Sequence, residues 1–402
     1  SPFVSIWHIQ NPSETLILPL RETFEYDFTV DWGDGSDPSR VSGYNDPNSR
    51  HTYAAGGEYE VTITGLFQTF YFNNAGHKNK LLAVPNLGDV GWVSFENAFY
   101  GCTQLVDVSG GDTSSVMDMS GMFRNASKAE PNTEDWDTSS VENMNRMFFN
   151  AGAADPDTSE WDVSQVRNMR SMFANAKVAN PDTENWDTAE VRNMASMFAK
   201  TRIASPQTAN WDTSRVTTMK SMFSGSMAAA PNTANWDTSN VEDMSAMFFQ
   251  AVEAVPATDH WDTQNVTTMR NMFFDATSAN PNTAFWNTAA VTDMRSMFRN
   301  ATQARPDTSN WVTSAATDMS AMFQNAINAQ PDMTTWDFGR VETMKDMLKG
   351  TTLNTDLYTE LLIAITEGAH LDDVELGAGD AQYRRDAATS RTRLVDEHGW
   401  TI

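Results

Sequence analysis

A single cysteine, Cys102, stands in a chain of 402 residues. No internal disulfide can form and thiolate-built zinc clusters are excluded, so packing or a different metal must hold the fold. Cations are scarce as well: 27 Lys and Arg face 53 Asp and Glu, for a formal charge of −26. A field of that sign repels phosphate backbones and anionic lipid headgroups, which argues against nucleic-acid partners. No stretch approaches the roughly 18 consecutive apolar residues of a membrane span, so direct membrane insertion is not expected. The few histidines (His8, His51, His77, His260, His370 and His398) are scattered, and the HExxH, GxSxG and phosphate-loop signatures are missing. No enzyme and no required cofactor is therefore expected. The chain opens on Ser1 rather than Met, as a segment of a longer precursor would.

Against these gaps stand 13 Trp and 23 Met. Trp136, Trp161, Trp186, Trp211, Trp236, Trp261, Trp286, Trp311 and Trp336 follow one another at intervals of 25 residues, without insertion or deletion. Two Met ladders keep the same step, one through Met144 and Met169 to Met344, the other through Met147 and Met172 to Met347. A Phe follows the second Met from Phe148 to Phe323. The unit reads W-D-T-S-x-V-x-x-M-x-x-M-F-x-x-A-x-x-A-x-P-x-T-x-x, and a copy without Trp opens near Gly111. So short a unit cannot enclose a core and must bury its apolar side against its neighbours, which predicts a repeat solenoid. Trp136, Trp161, Trp186, Trp211, Trp236 and Trp261, with Met144, Met147, Met169 and Met172, are its expected structural core. Thioether binding of a soft metal and a sugar-stacking platform are the weaker readings of the same ladders.

Within a unit, Val, Met, Met and Phe are spaced as on one face of a short helix or 3-10 segment, with Asp-Thr-Ser as N-cap. Pro-x-Thr reads as a strand, and stacked copies predict a parallel sheet at about 4.8 Å per repeat. The variable residue between Pro and Thr then forms an outward ladder: Asn132, Asp157, Asp182, Gln207, Asn232, Asn282, Asp307 and Asp332 are the candidate ligand-binding residues, on the strand face. The Asp after each Trp reads as a turn cap, with calcium between successive repeats as the alternative. A Thr in each unit raises ice binding as a further alternative.

Four segments are expected: a β module over 1–75, an irregular lead-in repeat over 76–110, ten repeats over 111–350 and a closing segment over 351–402. The first carries alternating runs around Asp31-Trp32-Gly33-Asp34-Gly35 and His51-Thr52-Tyr53; the last carries an amphipathic helix over Tyr358–Ile365.

The motif W-D-T-S-x-V-x-x-M-x-x-M-F resembles that of the BspA-like leucine-rich-repeat surface proteins, bacterial lipoproteins and adhesins, and the WGDG module is similar to a PKD-type β-sandwich. That resemblance implies a leucine-rich-repeat-like solenoid, of short parallel strands plus short helical or 3-10 segments, with a small β-sandwich-like N-terminal cap and a helical C-terminal cap. It also implies an extracellular or cell-surface place in a larger bacterial protein. The partner would be a protein, peptide or glycan on another cell surface. A spacer or homodimerisation element without its own ligand is the competing reading.

Overall fold

Phe3, Trp7 and Ile9, with Ser5 between them, fall at alternate positions of β1 (Phe3–Ile9) and are buried on one face. The structure, a computed structural model, describes residues 1–402. It divides into one unit of residues 1–191 and 200–206 and another of residues 192–199 and 207–402.

In the first unit, β2 (Glu14–Ile17), β3 (Tyr26–Asp31), β4 (Ser39–Val41), β5 (Arg50–Tyr53), β6 (Gly57–Phe67), β7 (Leu81–Asn86) and β8 (Asp107–Val108) follow β1. Six of them form one sheet in the order β4-β3-β6-β1-β7-β8, and β2 pairs with β5 apart from it. The pairs are antiparallel except β7 with β8. The turn after β3 demands glycine at Gly33, where φ is +78° and a Cβ would lie 2.2 Å from the Glu60 carbonyl oxygen. It places Trp32 in a stack on His51 at 5.2 Å, and His51 Nε2 meets Asp34 Oδ2 at 2.7 Å.

Burial alone would raise the pKa of Asp34, but hydrogen bonds from Ser36 and His51 outweigh it and bring it down to about 2. Glu14 is held at about 2 by its hydrogen bonds from Lys80 and from the Asn11 amide. Both folded-state values lie below the unfolded-state values near 4. Their stabilisation is therefore complete above about pH 5 and is lost as pH falls toward about 2. We expect Asp34→Asn and Lys80→Ala each to flatten the acid limb of stability against pH; denaturant midpoints at pH 5 and pH 2.5 that shift in parallel with the parent would refute it.

From the sheet, aromatic packing runs on into the repeats of the same unit. Phe67 meets Trp92 at 5.2 Å, Phe70 meets Phe99 at 5.7 Å, and Phe99 meets Phe123 at 5.6 Å. Thereafter the rings stack on their counterparts 25 residues on, near-parallel and 5.5 Å apart from Phe123 through Phe148 to Phe173. The second unit repeats this from Phe198 to Phe323 at 5.5–5.8 Å.

The local path corrects the solenoid of strands and short helices expected from the sequence. About 8% of the chain is helical, the extended sheet is the six-stranded one above, and the repeats carry neither a helix nor a strand of more than one residue. The Met-Met-Phe run is a succession of turns. Arg146 and Asn150, like Ser171, Ala246, Ala321 and their non-glycine equivalents, have φ of 52–59°. A right-handed helix cannot pass through such residues. Amides alternate instead: Met147 N–H and Phe149 N–H bond three residues back, to Met144 and Arg146, while Met144, Arg146, Phe148 and Asn150 donate to carbonyls of the next repeat at 2.8–3.0 Å.

No strand forms at Pro-x-Thr, because proline has no amide to give to a ladder and the threonine side chain takes over that role. Thr133 Oγ1 donates to the Asp157 carbonyl and Thr158 Oγ1 to that of Asp182, both at 2.6 Å. Inter-repeat bridges sit instead on the residue before the first Met, one residue each, as in Asp118 to Asn143 and Thr218 to Asp243. The N-terminal β region is likewise not a sandwich confined to 1–75, since β7 and β8 complete its sheet.

At the C-terminus of the second unit, α1 (Thr355–Glu367) is capped by Asn354 and buries Tyr358, Leu361, Leu362 and Ile365; α2 (Ala388–Asp396) follows. The last repeat is met by extended backbone rather than by a helix: Met344 N–H donates to Glu375 O at 3.0 Å and Leu348 N–H to Gly377 O at 2.8 Å.

The Met residues of both ladders are buried, while Met117 is 55% and Met227 60% exposed. Mild peroxide on the native protein is expected to oxidise Met117 and Met227 and spare the ladders. Peptide mass spectrometry reading equal oxidation across all Met would contradict the packing.

Candidate functional site

Two tight turns flank each tryptophan. In the first, the residue after Pro accepts a hydrogen bond from the amide two residues on: Asn132 from Glu134 at 3.2 Å, Asp157 from Ser159 at 3.0 Å, Asp182 from Glu184 at 3.1 Å. Asn232, Asn282, Asp307 and Asp332 do the same toward Ala234, Ala284, Ser309 and Thr334. In the second, Asp137, Asp162, Asp187, Asp212, Asp237, Asp262 and Asp337 cap the turn after Trp. These are Asx turns, the local bonding for which Asp and Asn are suited. The amide and hydroxyl of Ser159 hold the Asp157 carboxyl below the usual carboxylate range, and the hydroxyl and amide of Ser309 do so for Asp307.

The eight strip residues are thus outward-facing, with Asp332 half-buried; seven of them cap these turns, and none of the eight lies on a strand face. The threonines beside them are turned inward: Thr133, Thr158, Thr183, Thr208, Thr233, Thr258, Thr283 and Thr308 are buried. No hydroxyl row therefore faces water there.

A shallow groove recurs along the tryptophan edge. Ser159, Glu160, Trp161, Asp162 and Val163 line one, with Asn185 and Asp187 of the next repeat, about 360 Å³ in volume. Phe285, Trp286, Asn287, Asn310 and Val312 line another at the same place in the unit. The tryptophans themselves are buried, so the groove surface belongs to the residues on either side. The residue before Trp is exposed in all nine copies: Asp135, Glu160, Asn185, Asn210, Asn235, His260, Phe285, Asn310 and Thr335. The residue types differ: acids at Asp135 and Glu160, amides at Asn185, Asn210, Asn235 and Asn310, rings at His260 and Phe285, and a hydroxyl at Thr335; Phe285 is 79% exposed. Sequence reading missed this row because a residue beside a core tryptophan carries no periodic signal of its own.

The Cys102 thiol is buried and pushed up in pKa, which removes it as a thiolate nucleophile. Two of the scattered histidines are brought together: His370 and His398 lie beside Asp372 near the C-terminus.

The model of the family described as "Mycoplasma protein of unknown function, DUF285" matches the chain over residues 93–208, 182–255, 201–283 and 249–360. These overlapping stretches take in about two thirds of the chain. The chain belongs to this family. The DUF285 matches begin one residue after Trp92 and run through all nine Trp-bearing repeats to within α1. The family's description assigns no activity, and no curated protein matches the chain.

Proposed function

We propose that the chain is the ligand-binding module of a bacterial surface adhesin of the BspA-like kind, with a PKD-like module at its N-terminus. It would act outside the cell, binding a protein, peptide or glycan on another cell. One observation carries this reading: in each unit, exposed residues that differ from repeat to repeat, Asp135 to Asn185 in the first and Asn210 to Thr335 in the second, sit beside a buried tryptophan present in every copy. Such an edge presents many contacts with little ordering on binding. The neighbouring strip, Asn132 to Asp332, lends it further carboxylate and amide groups whose turns fix them in place.

The experiment is binding of the labelled protein to a panel of bacterial and host cells, with and without protease treatment of the cells. Saturable binding that protease abolishes identifies a protein ligand, and binding that survives identifies a glycan. We expect Asp157→Ala, Asp182→Ala and Asp307→Ala together to weaken binding at least tenfold with the fold intact. Unchanged binding removes the strip from the site, and no binding to any cell favours the spacer reading.

A homodimer is the second reading, favoured by exposed Phe285 and by Val312, which is 47% exposed, in one groove. Sedimentation would then register a dimer that Phe285→Ser dissociates.

A further inference from the structure

Near the C-terminus, one imidazole nitrogen each from His370 and His398 and a carboxylate oxygen of Asp372 lie within 4.8 Å of one another. Ligands bound at about 2.1 Å around a tetrahedral ion stand roughly 3.4 Å apart, so small side-chain rotations bring the three to coordination distance. The backbone prepares the arrangement. Asp373 N–H donates to the His398 carbonyl at 2.8 Å, and Trp400 Nε1–H donates to the Leu371 carbonyl at 2.8 Å. These two bonds hold residues 371–373 beside residues 398–400.

The hydrogen bonding of His370 is that of a ligand. Its Nδ1 lies 3.1 Å from the Gly368 carbonyl oxygen. A carbonyl only accepts, so Nδ1 carries the proton and Nε2 keeps its lone pair, the arrangement a metal-bound imidazole requires. His398 Nδ1 is 2.9 Å from Asp372 Oδ1, and the two imidazole rings meet edge to face at 4.5 Å.

We propose that His370, Asp372 and His398 bind a divalent transition ion of the zinc class, with water completing the coordination. Two nitrogen donors and one carboxylate suit zinc and its neighbours and disfavour calcium and magnesium, which take oxygen. The bound ion ties the segment after α1 to the last residues of the chain.

The test is calorimetric titration of the chelator-stripped full chain with zinc chloride, beside variants and a cobalt(II) absorption spectrum. The expected result is one equivalent bound at micromolar zinc, weakened at least tenfold by His370→Ala and by His398→Ala, unchanged in His8→Ala, and not displaced by millimolar calcium. Zinc should raise the melting temperature of the parent and leave that of His398→Gln where it was. The cobalt spectrum needs no variant: nitrogen-ligated d–d bands support the site, and the weak spectrum of an all-oxygen ion overturns it. Absence of zinc binding overturns it as well, as does equal affinity in the doubly substituted His370→Ala, His398→Ala chain, which would put the ion on the acidic surface.

Discussion

Phe248→Ala is expected to lower the free energy of unfolding by about 3–5 kcal/mol, the largest effect of any single change considered. Phe248 is completely buried, with Phe223 stacked on one side at 5.7 Å and Phe273 on the other at 5.5 Å. Truncation opens a cavity that touches three repeats at once, and the backbone hydrogen bonds from one repeat to the next leave the stack little room to collapse into it. Where each unit is stabilised chiefly by its neighbours, the loss acts on two interfaces. Urea unfolding followed by tryptophan fluorescence should therefore give an earlier midpoint or a split transition. Phe285→Ala is the comparison: that ring is 79% exposed, and the change should stay within about 0.5 kcal/mol. Equal effects of the two would contradict the stacked core.

Thr258→Val carries the second largest expectation, a loss of about 1–3 kcal/mol. The substitution preserves shape and removes only the hydroxyl, which donates to the Asn282 carbonyl at 2.7 Å from a buried position. Thr258→Ser keeps the donor and separates the hydrogen bond from the packing of the methyl group. If chemical denaturation gives the same stability for the parent and for Thr258→Val, the hydroxyl is not what joins these repeats at the Pro-x-Thr turn.

The period of 25 was legible in the sequence because stacked units place like residues against like, so Trp, Met and Phe must recur in register. The path within the unit was not. Val, Met, Met and Phe at helical spacing share a face in a helix and equally in a run of turns, and only backbone conformation separates the two. The residues that decide it lie at positive φ: Arg146, Ser171 and Ala246 give no sign of a left-handed turn, whereas Gly121, Gly225 and Gly350 and the recurring Asn125, Asn150, Asn175, Asn300 and Asn325 are of types that favour one. Pro-x-Thr was misread for a related reason. Its β-branched threonine suits a strand, but here the side chain, not the backbone, reaches the next repeat.

The same distinction holds at the candidate sites. Asp157 and its equivalents were visible as a polar row, but their engagement by the amide two residues on depends on turn geometry. His370 and His398 looked unrelated in the chain because the bonds that unite them are made by the backbone around Leu371 and Asp373.

The hydrogen bonds between repeats have a direction. In the repeat of Met244, four amides (Met244, Ala246, Phe248 and Gln250) reach forward to the next repeat, and the amide of Glu242 reaches back. Each repeat is therefore chemically two-sided, rich in acceptors on one side and in donors on the other, and copies can add only head to tail. Contacts of that kind are head to tail and not self-complementary, so an uncovered end presents unpaired amides that another chain can meet. The segment around Glu375 and Gly377 receives the amides of Met344 and Leu348, two of the four that reach forward in the earlier repeats. At Gly377 a Cβ would fall 2.0 Å from the Asp346 amide nitrogen, so the terminator works only with the smallest residue at its centre. A larger residue there would push the segment away and leave the Met344 and Leu348 amides to find other acceptors.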